Sequence, residues 1–132
     1  MTTVLIVDDE FEVGRSLSRV LTRAGYQVTV MTSGVEAVAT FAQSPADVVI
    51  TDIIMPKVHG IELIKAIREK GATTRIIAIS GGGNFGPLGY EPGAITTQAY
   101  LAAALKAGAN EVLMKPFDLE DLLSSVRRLL GH

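Results

Sequence analysis

The chain has 132 residues, 48% hydrophobic and 20% charged; that is one domain's worth of sequence, able to bury roughly two-thirds of its unfolded surface and too apolar to stay disordered. Without cysteine it has no disulfide scaffold, and its longest apolar run, Ala99 to Leu105, is far shorter than the ~20 residues of a bilayer span. Twelve basic against fourteen acidic residues give a net charge of −2, without the basic excess of a nucleic-acid binder, and no secretory signal precedes Asp8, so a cytoplasmic protein is expected.

Short apolar runs alternate with helical periods along the whole chain. Val4–Val7 predicts a first strand. Val13, Leu17, Val20, Leu21 and Ala24 then recur at helical spacing, with Gly25 as the closing residue. Tyr26–Met31 is the second strand, and Val35, Val38, Phe41 and Ala42 mark the second helix. Val48–Thr51 is the third strand, followed by a helix on Ile61, Ile64, Ile67 and Arg68 that ends near Gly71. Ile76–Ile79 is the fourth strand; Ala99, Ala102, Ala103 and Leu105 predict a helix stopping at Gly108. Glu111–Met114 is the fifth strand, and Leu119 to Leu130 the fifth helix, with Asp118 as its N-cap.

Five strand–helix units in strict alternation predict an α/β fold, a doubly wound parallel sheet with helices on both faces. The first, third and fourth strands are continuously apolar, as strands buried on both faces should be. The second alternates and the fifth opens with Glu111, which places both at edges. The order 2-1-3-4-5 satisfies this with right-handed crossovers. Its switch point lies between strands 1 and 3, and ligands bind such sheets outside the carboxyl ends of the strands.

Those ends carry compatible chemistry. Strand 1 leads into Asp8 and Asp9, strand 3 into Asp52, strand 4 into Ser80 and strand 5 into Lys115. Singly, each has an ordinary explanation: Asp8 or Asp9 as a helix cap, Asp52 as a turn aspartate, Ser80 as a loop residue, Lys115 as a solvated lysine. Together at four adjacent strand ends they argue for a site. Three neighbouring carboxylates resist ionisation without a cation. An all-oxygen donor set suits a hard ion, with Mg²⁺ the natural candidate. A lysine opposite the metal would hold a phosphoryl group between two positive charges. With no cysteine, and with His59 and His132 in other loops, the expected nucleophile is a carboxylate able to form an acyl phosphate.

The segments VLIVDDE at 4–10, DIIMPKVHG at 52–60, IAIS at 77–80 and KPF at 115–117 resemble the receiver (CheY-like) domain of two-component response regulators, across the whole chain. That resemblance implies a flavodoxin/CheY-like (βα)5 fold in which residues 1–132 form one receiver domain. It implies that Asp52 accepts a phosphoryl group from a histidine kinase or histidine phosphotransfer protein. Asp9, Asp52 and the backbone carbonyl of Ile54 would ligate Mg²⁺, with Asp8 acting through water. Lys115 would contact the phosphate and Asp52, and Ser80 would be the switch hydroxyl. The output would be a changed surface for a downstream protein, with no direct nucleic acid or membrane binding and no enzymatic turnover beyond the domain's own phosphorylation and dephosphorylation.

The chain departs from the family in places. Val112 stands where members usually carry an aromatic, three positions before the lysine. His59 stands where Asp is common. Ile54 is apolar where many relatives are polar, and is expected to screen the acyl phosphate from water. Predicted strand starts at 4, 26, 48, 76 and 111 leave the last unit too long. The excess, GGGNFGPLGYEPGAITTQ at 81–98, holds six of the 13 glycines and two of the five prolines. It reads as a surface insertion without a phosphate-loop signature; ordering on phosphorylation is its functional alternative. Two other classes remain: a phosphorylation-independent binding module, and a haloacid-dehalogenase-type phosphatase. The second lacks its usual carboxylate two positions after the nucleophile, where Ile54 stands.

Overall fold

The computed structural model describes residues 1–53, 60–70, 73–80, 93–115 and 117–131, of which 93–98 are described by their backbone. In chain order the elements are β1 (Thr3–Val7), α1 (Phe11–Arg23), β2 (Gln27–Met31), α2 (Gly34–Gln43), β3 (Val48–Asp52), α3 (Gly60–Lys70), β4 (Arg75–Ser80), α4 (Gly93–Ala107), β5 (Glu111–Met114) and α5 (Leu119–Leu130). All strand pairs are parallel, in the order β2-β1-β3-β4-β5. None of the described helices is long and apolar enough to cross a membrane.

Burial follows the sequence pattern. Every residue of β3 is buried, whereas β2 exposes Gln27 and Thr29 and keeps Val28 and Val30 partly covered. Alternation along the strands separates two cores. On one face Leu5, Val7, Val49, Ile76 and Ala78 meet Phe41 of α2, Leu63, Ile64 and Ile67 of α3, and Ala104 of α4. On the other, Val4, Ile6, Ile50, Ile77 and Ile79 meet Leu17 and Leu21 of α1 and Leu122 and Val126 of α5.

Three local expectations change. The helix cap of α1 falls on Glu10, not on Asp8 or Asp9. Asp118 occupies the N-cap of α5, but its side chain makes no capping hydrogen bond. Finally, α4 begins at Gly93, so residues 93–98 of the expected insertion are helical. Adding a turn to an Ala-rich helix is far easier than nucleating one, and the β-branched pair Thr96-Thr97 masks that extension in the sequence. Residues 81–92 lie outside those described.

Register fixes the rim. Val7 pairs with Thr51, Asp52 with Ile79, and Ser80 with Met114. Asp8 and Asp52 therefore share one level at the carboxyl edge, with Ser80 one residue and Lys115 two residues farther along. Asp52 and Ser80 are the last residues of their strands rather than the first of the loops.

Candidate functional site

Strand geometry delivers the acidic residues directly. The Asp8 amide donates to the Met31 carbonyl at 3.0 Å, and the Asp8 Oδ1 accepts the Glu10 amide at 2.8 Å. That local turn aims the carboxylate across the rim while Glu10 starts α1. Asp8 and Asp52 are buried, 1% and 7% exposed, whereas Asp9 is exposed. One carboxylate oxygen from each of the three lies within 4.8 Å of the others.

Two close neighbours complete the rim. Lys115 Nζ stands 3.7 Å from Asp8 Oδ2 and 4.0 Å from Glu10 Oε1. The Lys115 amide donates to the Ser80 carbonyl at 2.9 Å, which ties the lysine to the hydroxyl-bearing strand end. Ser80 Oγ and Asp8 Oδ2 are fully buried and have no hydrogen-bond partner among the described residues. A buried polar atom without a hydrogen bond costs about 1–3 kcal/mol; the Lys115 charge offsets part of this for Asp8 Oδ2, whereas Ser80 Oγ is left poised for a group that arrives in the pocket.

Electrostatics agree. Burial, followed by the neighbouring Asp8 charge, pushes the Asp52 carboxyl up to about 7, against the opposing pull of Lys115. Burial also raises Asp8, partly offset by the Glu10 amide and Lys115. A cation among these oxygens would reverse the shifts and restore Asp52 as a carboxylate. The donor set is all carboxylate, and Asp8 Oδ2, which accepts no hydrogen bond among the described residues, supplies a buried acceptor. Both fit a hard divalent ion.

This geometry gathers Asp8, Asp9, Asp52, Ser80 and Lys115 as the sequence predicts. It differs in one contact: the ion pairs of Lys115 are with Asp8 and Glu10, and its charge reaches Asp52 from farther off. Ile54, His59 and Pro116 lie outside the described residues. Val112 is partly buried against the α2/α3/α4 core.

Two contributors escaped the sequence reading. Glu10 shares Lys115, which only spatial placement reveals. Gly60 opens α3 directly against the acceptor strand: its amide donates to the Ile53 carbonyl at 2.8 Å. A Cβ there would collide with the Asp52 carbonyl oxygen and stand 2.7 Å from Ile53 Cα. The missing side chain allows helix and strand end to touch.

Residues 4–86 match the model of the response regulator receiver domain. The chain belongs to that family. It is 35% identical over 127 residues to the response regulator MprA of Mycobacterium sp. (strain KMS), an alignment covering 96% of this chain and 50% of that protein. The receiver domain thus spans about half the length of the curated relatives it matches. Among solved structures, Vibrio cholerae chemotaxis protein CheY4 superposes with a TM-score of 0.77 at 31% identity, covering 98% of each chain. A CheY-like receiver domain protein from Methanospirillum hungatei JF-1 gives 0.84 at 24% identity, covering 99% of this chain and 94% of that one, and so supports the fold. The chain is a receiver domain of the response regulators of two-component systems.

Proposed function

We propose that this receiver domain is a Mg²⁺-dependent phosphoaspartate switch with Asp52 as the acceptor. The observation that carries the reading is the buried Asp52 carboxyl beside Asp8 and Asp9, within the field of Lys115. An Asp52 oxygen attacks the phosphorus of a phosphohistidine on a histidine kinase or phosphotransfer protein. The P–N bond breaks, the phosphoryl group passes to the carboxylate as an acyl phosphate, and the histidine nitrogen recovers its electron pair. Asp9 and Asp52 would hold the metal together with the Ile54 carbonyl that the family resemblance implies, and Asp8 would act through water. When bound, Mg²⁺ neutralises charge on the transferred group. Lys115 leaves Asp8 and Glu10 to contact the phosphoryl oxygens, and Ser80 donates its unpaired hydroxyl. Water later hydrolyses the acyl phosphate, the only turnover assigned to the domain.

Residues 1–132 act in this reading as a single domain, in the cytoplasm, signalling through a changed protein-binding surface and not through direct contact with nucleic acid. The second reading, a binding module that no longer uses the chemistry, draws on Val112 in the place of the usual aromatic. One experiment separates them. Incubation with Mg²⁺ and acetyl phosphate or phosphoramidate, followed by intact-mass measurement, should add about 80 Da, one phosphoryl group on a carboxylate. The adduct should be missing from Asp52→Asn and from wild type in EDTA. No adduct on wild type favours the binding module; steady release of phosphate from an external monoester would favour a phosphatase.

A further inference from the structure

The hydrogen-bond ladder runs out beside the acceptor. In a parallel sheet the amide and carbonyl of one residue face the same neighbouring strand, and successive residues alternate. The Ile53 amide donates to the Ile79 carbonyl at 3.0 Å, so Ile53 faces β4 and Asp52 faces β1. On β1 the Asp8 amide donates to the Met31 carbonyl of β2, so the ladder donor for the Asp52 carbonyl would be Asp9. β1 ends at Val7, however, and the Asp8 carboxylate has already turned the chain toward α1 by accepting the Glu10 amide. A buried carbonyl at such a point needs another donor. Among the described residues that donor is the Thr51 hydroxyl, at 2.8 Å.

Packing alone does not call for a hydroxyl there. Thr51 is fully buried and lies in register between Val7 of β1 and Ala78 of β4. Both belong to the apolar layer under α2, α3 and α4, as do Val49 and Ile53, which flank Thr51 on the same face of β3. Valine has the same shape, and a hydroxyl in such surroundings is costly unless it is hydrogen-bonded. The bond to Asp52 is what the hydroxyl gains. Gly60 bears on the same carbonyl oxygen from α3, where a Cβ would collide with it. Hydroxyl and helix start together hold the carbonyl of the acceptor residue. Because the peptide is planar, holding that carbonyl fixes ψ of Asp52, and with it the angle at which the carboxylate leaves the strand.

We propose that Thr51 is a positioning residue for the phosphoacceptor: its hydroxyl replaces the ladder donor that β1 no longer supplies and so aims the Asp52 carboxylate at the incoming phosphorus. This rests on the phosphoacceptor reading above. Thr51 acts through Asp52 alone. In-line transfer tolerates little misalignment of the attacking oxygen, so a loosened Asp52 backbone slows phosphorylation even where the fold is intact.

The test uses the whole chain and two comparisons that each remove only the hydroxyl. Wild type against Thr51→Val does so at constant shape, and Thr51→Ser against Thr51→Ala does so without the methyl. Adduct formation with Mg²⁺ and phosphoramidate is followed by mass, the Asp52 backbone carbonyl by ¹³C resonance, and stability by urea titration. Thr51→Val should slow the adduct by about fivefold or more, the scale of one lost hydrogen bond. Thr51→Ser should outpace Thr51→Ala by about threefold or more. The carbonyl resonance should move in Thr51→Val and Thr51→Ala and stay in place in Thr51→Ser. A merely structural Thr51 predicts the reverse order, because valine fills the apolar row while serine leaves a methyl-sized void. Rates that follow urea stability in that way overturn the proposal, as does an unmoved carbonyl resonance in Thr51→Val. Should Thr51→Val fail to fold, the serine and alanine pair decides: equal rates overturn the proposal. Absence of any adduct on wild type would instead overturn the phosphoacceptor reading, and this inference with it.

Discussion

Asp52 carries a cost that its neighbours impose. In the metal-free protein its carboxyl titrates near 7 rather than 3.8. Between those pH values the folded state holds a proton that the unfolded state has lost. Stability therefore falls as pH rises through that window, and the full penalty is present above 7. Asp52→Asn should raise the unfolding free energy at pH 8 in EDTA by on the order of 2 kcal/mol, with the gain fading toward pH 4; urea titrations across that range measure it. Gly60 sets the opposite demand. Gly60→Ala forces a methyl into the Asp52 carbonyl and should cost about 2–4 kcal/mol, the scale of an unrelieved steric clash, and slow labelling of Asp52 by displacing it. Asp52, Asp8, Asp9, Ser80 and Lys115 were all legible as strand-end residues. The partner of the lysine was not, because Glu10 faces it only after the turn at Asp8.

Among the elements, the join between α3, α4 and β5 depends on one guanidinium. Arg68 donates to the Gly108 carbonyl at 2.9 Å, to the Thr74 carbonyl at 2.7 Å and to Asn110 Oδ1 at 2.8 Å. Asn110 Oδ1 also accepts the Ile76 amide at 2.7 Å. One side chain from the end of α3 thus ties the end of α4 to the start of β4. Hydrogen bonds to a charged group contribute about 1.5–3 kcal/mol when buried, and these are partly exposed. Arg68→Leu should lower stability by about 2 kcal/mol in urea titration, with hydrogen exchange rising first at residues 108–110. Periodicity placed Arg68 on the third helix but gave no sign of this role, since two of its partners, the Gly108 carbonyl and Asn110 Oδ1, are about 40 residues away and the third is a backbone carbonyl in the following loop. The amino-terminal turn of α4 was hidden for a different reason: Thr96 and Thr97 favour extended backbone, and the extension of an existing helix overrides them.

For the whole molecule, strand order and register were readable because each strand's pattern reports how many of its faces are covered. A ligand of the folded state alone stabilises the entire domain by mass action. Mg²⁺ at ten times its dissociation constant should therefore add about 1.4 kcal/mol, seen as a rise in Tm that Asp9→Asn abolishes. The five-stranded sheet has a further consequence. Among the described residues its two apolar layers share no side chain: α1 and α5 rest on one, α2, α3 and α4 on the other. A substitution in the layer under α2, α3 and α4 therefore removes no contact from the layer under α1 and α5, and its damage should stop at the sheet.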